Sequence, residues 1–141
     1  PCLAGIQEKG HMAQGTVLVI DDDAQIRQAV RLTLTKNGYE IVEAGTGHEA
    51  IHLLQQSASQ ITVVLCDLEM PNGSGSEVLK YLTTTHPLIP IIIMTVAPDA
   101  VIAEALATHQ QHAYLMKPVP PQELLKQVHV ATALFHLRAK S

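Results

Sequence analysis

The 141-residue chain has no tryptophan, one phenylalanine and three tyrosines. Aromatic rings cannot carry its core, which must be built from Val, Ile, Leu and Ala. Cysteine is almost absent. Cys2 and Cys66 make no disulfide framework, and a reducing cytoplasm is the expected setting. Charge is also sparse at 16%, with 9 basic against 13 acidic residues, a net charge of -4 and no Lys/Arg cluster. That balance argues against direct binding of nucleic acid by this domain. No apolar run is long enough to span a bilayer, and there is no secretory signal pattern, so no membrane role is expected. What the chain does have is 47% apolar residues. This excludes a disordered or fibrous chain, and the length suits one domain with a core of its own.

Gly10-His11-Met12 reads as the scar of an expression tag, so residues 1–12 are expected to be a tag or a disordered leader. The folded domain is expected over 13–141. From there, five short apolar runs alternate with five segments of helical period. Residues 16–20 are apolar after the first, as a strand buried on both faces reads. Asp23 stands where a helix cap belongs, and Ile26, Val30 and Leu34 follow on one face. Asn37-Gly38 ends that helix. A second, more polar strand runs from Tyr39 to Ala44 and is expected at an edge. Thr46 precedes a helix with Ala50, Leu53 and Leu54. The third strand covers 61–66 and stops at Asp67, and turn chemistry makes 71–75 a loop.

A helix with Val78, Leu79 and Leu82 ends before Pro87. The fourth strand, 91–94, stops at Thr95. Asp99 opens a helix with Val101, Ile102, Ala105 and Leu106. The fifth strand, 113–116, stops at Lys117. Pro121 opens a last helix, over 120–140, that carries Leu124, Val128, Ala131 and Phe135 and continues past what the core needs. Strict βα alternation predicts a doubly wound parallel (βα)5 sheet with helices on both faces. Ligands in such sheets bind beyond the carboxyl ends of the strands.

Those ends deliver Asp21, Asp22 and Asp23 from the first strand, Asp67 from the third, Thr95 from the fourth and Lys117 from the fifth. Clustered carboxylates repel one another, and a hard dication relieves this. Mg2+ prefers a few carboxylates with water and phosphate oxygens. An Asp carboxylate is a nucleophile toward phosphorus. Transfer of a phosphoryl group needs its equatorial oxygens neutralised, which a metal, Lys117 and the Thr95 hydroxyl together can do.

In this order the residues resemble the response-regulator receiver family, over roughly residues 15–137. Asp21-Asp22 resembles the acidic pair, and Asp67, within 66–71 and with Gly73 and Gly75 behind it, the phosphoacceptor motif. Thr95 resembles the switch hydroxyl, Tyr114 the switch aromatic, and Lys117-Pro118 the lysine-proline step. The resemblance implies strand order 2-1-3-4-5. It implies Mg2+ held by Asp22, Asp67 and the backbone carbonyl of Glu69, with Asp21 acting mainly through water. It also implies phosphoryl transfer to Asp67 from a sensor histidine kinase or phosphotransfer protein. Thr95 and Tyr114 would then move inward and reshape the surface of the fourth helix, fifth strand and last helix. An output domain in a longer protein, or a second copy of the chain, would pack on the last helix near Leu134, Phe135 and Leu137.

The sequence departs from the family pattern at Val96, where a small residue is usual and a β-branched one crowds the phosphate entrance. It departs also at Val119, where Phe is usual, and at 109–112, where a Gly-Ala turn is usual. Glu69 and Ala97 stand where phosphate lifetime is tuned in the family. Blander readings exist for each residue. Asp23 is only a cap, Cys66 a small core residue, Tyr114 a static half-buried ring, and His109 and His112 a surface loop. His48 and His52 stand at helical spacing but lack further ligands. Two other functions compete: a degenerate receiver that binds partners without phosphorylation, and a small Mg2+-dependent phosphatase of the haloacid-dehalogenase kind. The latter places its nucleophile on the first strand, whereas here the lone Asp is on the third.

Overall fold

The computed structural model describes residues 13–71, 74–96 and 113–140. Among the described residues there are five strands: β1 Gly15–Ile20, β2 Tyr39–Ala44, β3 Val63–Asp67, β4 Ile91–Thr95 and β5 Ala113–Met116. They alternate with α1 Ala24–Thr35, α2 Gly47–Ser57, α3 Ser74–Thr85 and α4 Pro121–Ala139, and a short 3-10 turn, Ala58–Gln60, follows α2. The expected helix around Val101 and Ala105, the 109–112 turn and the leader 1–12 lie outside the described residues.

All pairings are parallel, and the strand order is β2-β1-β3-β4-β5. The polar strand is at an edge, as its composition predicts. Side-chain alternation splits the core in two. Leu18, Ile20, Val64, Cys66, Ile91 and Ile93 pack beneath Ala50 and Leu54 of α2 and Val78, Leu79 and Leu82 of α3. Val17, Val19, Val63, Leu65, Ile92 and Met94 pack beneath Val30 and Leu34 of α1 and Leu124, Val128 and Ala131 of α4. Both faces are covered, so the inner strands contain almost no polar residue before their carboxyl ends. Each such Leu or Ile contributes roughly 1.5–3 kcal/mol by burial.

Local signals hold most elements in place. Asp23 caps α1 by accepting a hydrogen bond from the Gln25 N–H at 2.9 Å. Thr46 caps α2 through Glu49 N at 3.0 Å, while the Glu49 carboxylate accepts from Gly45 N at 2.7 Å, a close relative of the capping box. Gly38 takes the left-handed φ of +90° that ends the α1 connection, and Pro121 opens α4.

The expected loop over 71–75 is corrected, because α3 already begins at Ser74. Turn-forming residues hid a packing requirement. A Cβ on Gly75 would lie 2.7 Å from the Asp67 carbonyl oxygen and 2.8 Å from Leu68 Cα. Gly75 therefore lets the first turn of α3 press against the backbone that carries Asp67.

Candidate functional site

Register levels the ends of the inner strands: Ile20 pairs with Cys66, Asp67 with Met94, and Thr95 with Met116. The residue after β1, the last of β3, the last of β4 and the residue after β5 thus meet at one edge. Asp21 and Asp67 are buried there, and Thr95 is fully buried. Asp22, one residue on, is exposed. Carboxylate oxygens of Asp21, Asp22 and Asp67 all lie within 4.8 Å of one another.

Lys117 enters from β5. Its Nζ lies 2.7 Å from Asp21 Oδ2 and 3.2 Å from Asp67 Oδ2, with the side chain 11% exposed. Its backbone is tied to the sheet, with Lys117 N donating to the Thr95 carbonyl at 2.6 Å. The Lys117-Pro118 peptide is cis. The remaining carboxylate oxygens are held by backbone. Asp23 N donates to Asp21 Oδ1 and Glu69 N to Asp67 Oδ1, each at 2.9 Å. Backbone thus holds one oxygen of each of these two carboxylates, and Lys117 the other.

Burial pushes the Asp67 carboxyl above its ordinary range. The Glu69 N–H and the Lys117 charge oppose this, and the Asp21 charge adds to it. Burial pulls the Lys117 ammonium down, yet its bond to Asp21 and the charge of Asp67 outweigh that and leave it raised. Burial, with the charges of Asp67 and Asp21, drives the Cys66 thiol far up. Cys66 is thus an unreactive core residue, as expected.

Three carboxylates cluster beside one ammonium, and every ligand atom they offer is a hard oxygen. The donor set therefore suits a small divalent cation such as Mg2+.

Thr95 joins the cluster indirectly. Its hydroxyl donates to Glu69 Oε1 at 3.0 Å, and the Val96 N–H donates to the same oxygen at 2.7 Å. The sequence offers Glu69 a backbone carbonyl for the metal and a position tied to phosphate lifetime, but no partner for its carboxylate, because the contact joins residues 26 apart in the chain. Arg27 Nη1 donates to the Asp21 backbone carbonyl, a contact that no sequence motif signals. The Val96 side chain is 59% exposed at the rim, and Val119 packs on the α1–α4 core. Tyr114 sits on the edge strand with 46% of its surface exposed.

A family model for the response regulator receiver domain matches residues 17–129. The response regulator MprA of Mycolicibacterium vanbaalenii is 36% identical over 114 residues, covering 79% of this chain and 48% of that protein. The DNA-binding transcriptional regulator NtrC of Klebsiella pneumoniae is 33% identical over 119 residues, covering 83% of this chain and 24% of that protein. The chain thus spans about half the length of the first relative and about a quarter of the second. Among solved structures, a response regulator receiver domain protein from Clostridium thermocellum superposes with a TM-score of 0.81 at 29% identity. That match covers 87% of this chain and 98% of the other. With the acidic cluster and Lys117 inside the matched span, the chain belongs to the response-regulator receiver family of two-component signalling.

Proposed function

We propose that Asp67 is the phosphoacceptor of this receiver and takes its phosphoryl group from a sensor histidine kinase or phosphotransfer protein in the cytoplasm. The observation that carries this reading is the placement of Lys117. One ammonium touches both the buried Asp67 and the buried Asp21 at the ligand edge of the sheet. In the step, an Asp67 carboxylate oxygen bonds to phosphorus. The bond from phosphorus to the donor atom breaks, and the donor leaves with its electron pair. Lys117, already against Asp67 Oδ2, takes one phosphoryl oxygen, and the Thr95 hydroxyl takes another. Mg2+, when held by Asp22, Asp67, the Glu69 carbonyl and, through water, Asp21, supplies positive charge against the transferring group.

Phosphorylation then alters the face made by β5 and α4, with Thr95 and Tyr114 as the moving residues. The exposed positions of Tyr114 and Met116 on the edge strand support a partner-reading surface there. The greater length of MprA and NtrC supports an output domain in a longer protein. A homodimer through the same face is the other arrangement proposed. The phosphatase reading has no support beside the family match.

The test is incubation with acetyl phosphate, with and without Mg2+, followed by intact mass of wild type and Asp67→Asn. An adduct that needs both Mg2+ and Asp67 is expected. A wild type that stays unmodified, and binds no beryllofluoride with Mg2+, would leave only a phosphorylation-independent binding module.

A further inference from the structure

Two hydrogen-bond donors at the end of β4 converge on a single oxygen atom. The Thr95 hydroxyl and the Val96 N–H both donate to Glu69 Oε1, at 3.0 and 2.7 Å. A hydroxyl and an adjacent backbone N–H aimed at one anionic oxygen make a small cradle for an oxyanion. The cradle stands at the edge where Asp67 is held, and it is filled from inside the molecule. Glu69 is two residues past Asp67, and its own N–H already fixes Asp67 Oδ1 at 2.9 Å. One residue therefore does two jobs: its backbone orients Asp67, and its carboxylate ties the end of β3 to the end of β4.

We infer that the Glu69 carboxylate is an internal latch, a stand-in for a phosphoryl oxygen that must leave the Thr95–Val96 cradle before a phosphoryl group on Asp67 can use it. This deepens the reading of Asp67 as phosphoacceptor and rests on it. The exchange is non-covalent. Glu69 releases two hydrogen bonds and turns to water, which its exposed position allows. The same two donors then close on a phosphoryl oxygen.

Because water solvates the released carboxylate, the latch opposes phosphorylation only by the net value of charge-assisted hydrogen bonds, about tenfold in rate. It also favours the unphosphorylated arrangement of Thr95. Glu69 acts here as a positioning residue, since it holds the groups that meet the phosphoryl oxygen.

The test compares initial rates of adduct formation from acetyl phosphate at fixed Mg2+ in wild type, Glu69→Gln and Glu69→Ala, each also with Thr95→Ala. Glu69→Ala is expected to react about tenfold faster. Glu69→Gln, which keeps a neutral acceptor, should fall between. With Thr95→Ala, one prong of the cradle is gone, and the gain from Glu69→Ala should shrink to roughly threefold or less.

An equal gain in both backgrounds, fully matched by Glu69→Gln and fading with salt, would show simple repulsion of an anionic donor and overturn the latch. Equal rates for wild type and Glu69→Ala would also overturn it. If wild type takes no phosphoryl group at all, the phosphoacceptor reading fails, and the latch that rests on it falls with it. In a wild type that is phosphorylated, hydrogen exchange at the Val96 amide that is slow and is released in Glu69→Ala supports the latch, and equal exchange ends it.

Discussion

At the carboxyl edge of the sheet one ammonium serves two carboxylates, whereas on the flank between α1 and β2 one carboxylate serves two guanidiniums. Lys117 bridges Asp21 and Asp67 at 2.7 and 3.2 Å, and Glu43 receives Arg27 and Arg31 at 2.9 and 2.6 Å. The contact lengths are alike, but the carboxyls respond in opposite directions. Burial lifts Asp67 above its ordinary range, while the hydrogen bond from Arg31, opposed by burial and helped by Arg27, holds Glu43 below its own. The difference is water. Glu43 is partly solvated and has cations to spare, so its charged form is favoured in the fold. Asp67 is buried and shares its one cation, so folding disfavours its charge unless a further cation arrives. The flank cluster is a surface tie, and the edge cluster holds a carboxylate whose charge burial disfavours.

The sharpest way to break this contrast is chemical. Asp67→Asn should abolish the Mg2+-dependent phosphoryl adduct in intact-mass spectra, while Glu43→Gln should leave it near wild type. An adduct of undiminished yield on Asp67→Asn would move the acceptor elsewhere.

Next in size is Lys117→Met. It leaves Asp21 and Asp67 buried without their cation and should cost about 3–5 kcal/mol of stability in urea unfolding without divalent ions. Added Mg2+ should raise the midpoint of this variant more than that of wild type. A midpoint unchanged by the substitution would mean that water reaches the pair freely.

Asp67→Asn should also move stability, in the other direction. The folded pKa of Asp67 lies above its unfolded value. Its contribution to stability is therefore fully present below the ordinary carboxyl range and lost as pH rises through the folded pKa. Removing the charge should raise Tm at neutral pH by roughly 2–6 °C. That gain should vanish in thermal melts as the pH falls below about 4.

The smallest effect belongs to Glu43. Its folded pKa is depressed, so its contribution is present above the ordinary value and lost as pH falls through the folded pKa. Partial exposure screens the pairs, and Glu43→Gln should cost only about 0.5 kcal/mol near neutral pH. Melts of the two variants should thus approach wild type at low pH from opposite sides. Same-side approach would contradict the assigned roles of burial and pairing.

Much of this was legible in the residues alone. The order of apolar runs and helical periods determined a parallel (βα)5 chain, because a strand covered on both faces has no polar alternation, as Val63, Val64 and Leu65 illustrate. The same logic put Asp21, Asp67, Thr95 and Lys117 at strand ends, and the polar Tyr39–Ala44 strand at an edge. Tertiary structure decided the rest. Which carboxylate shares Lys117 depends on strand order, which no local pattern encodes. Gly75 reads as a turn residue but serves a close approach of helix to backbone. Glu69 reads as a backbone ligand at a position tied to phosphate lifetime, yet its carboxylate finds Thr95 and Val96 only because β3 and β4 are neighbours. Periodicity reports which face a residue turns to the core, and a hydrogen bond between distant loops leaves no period to read.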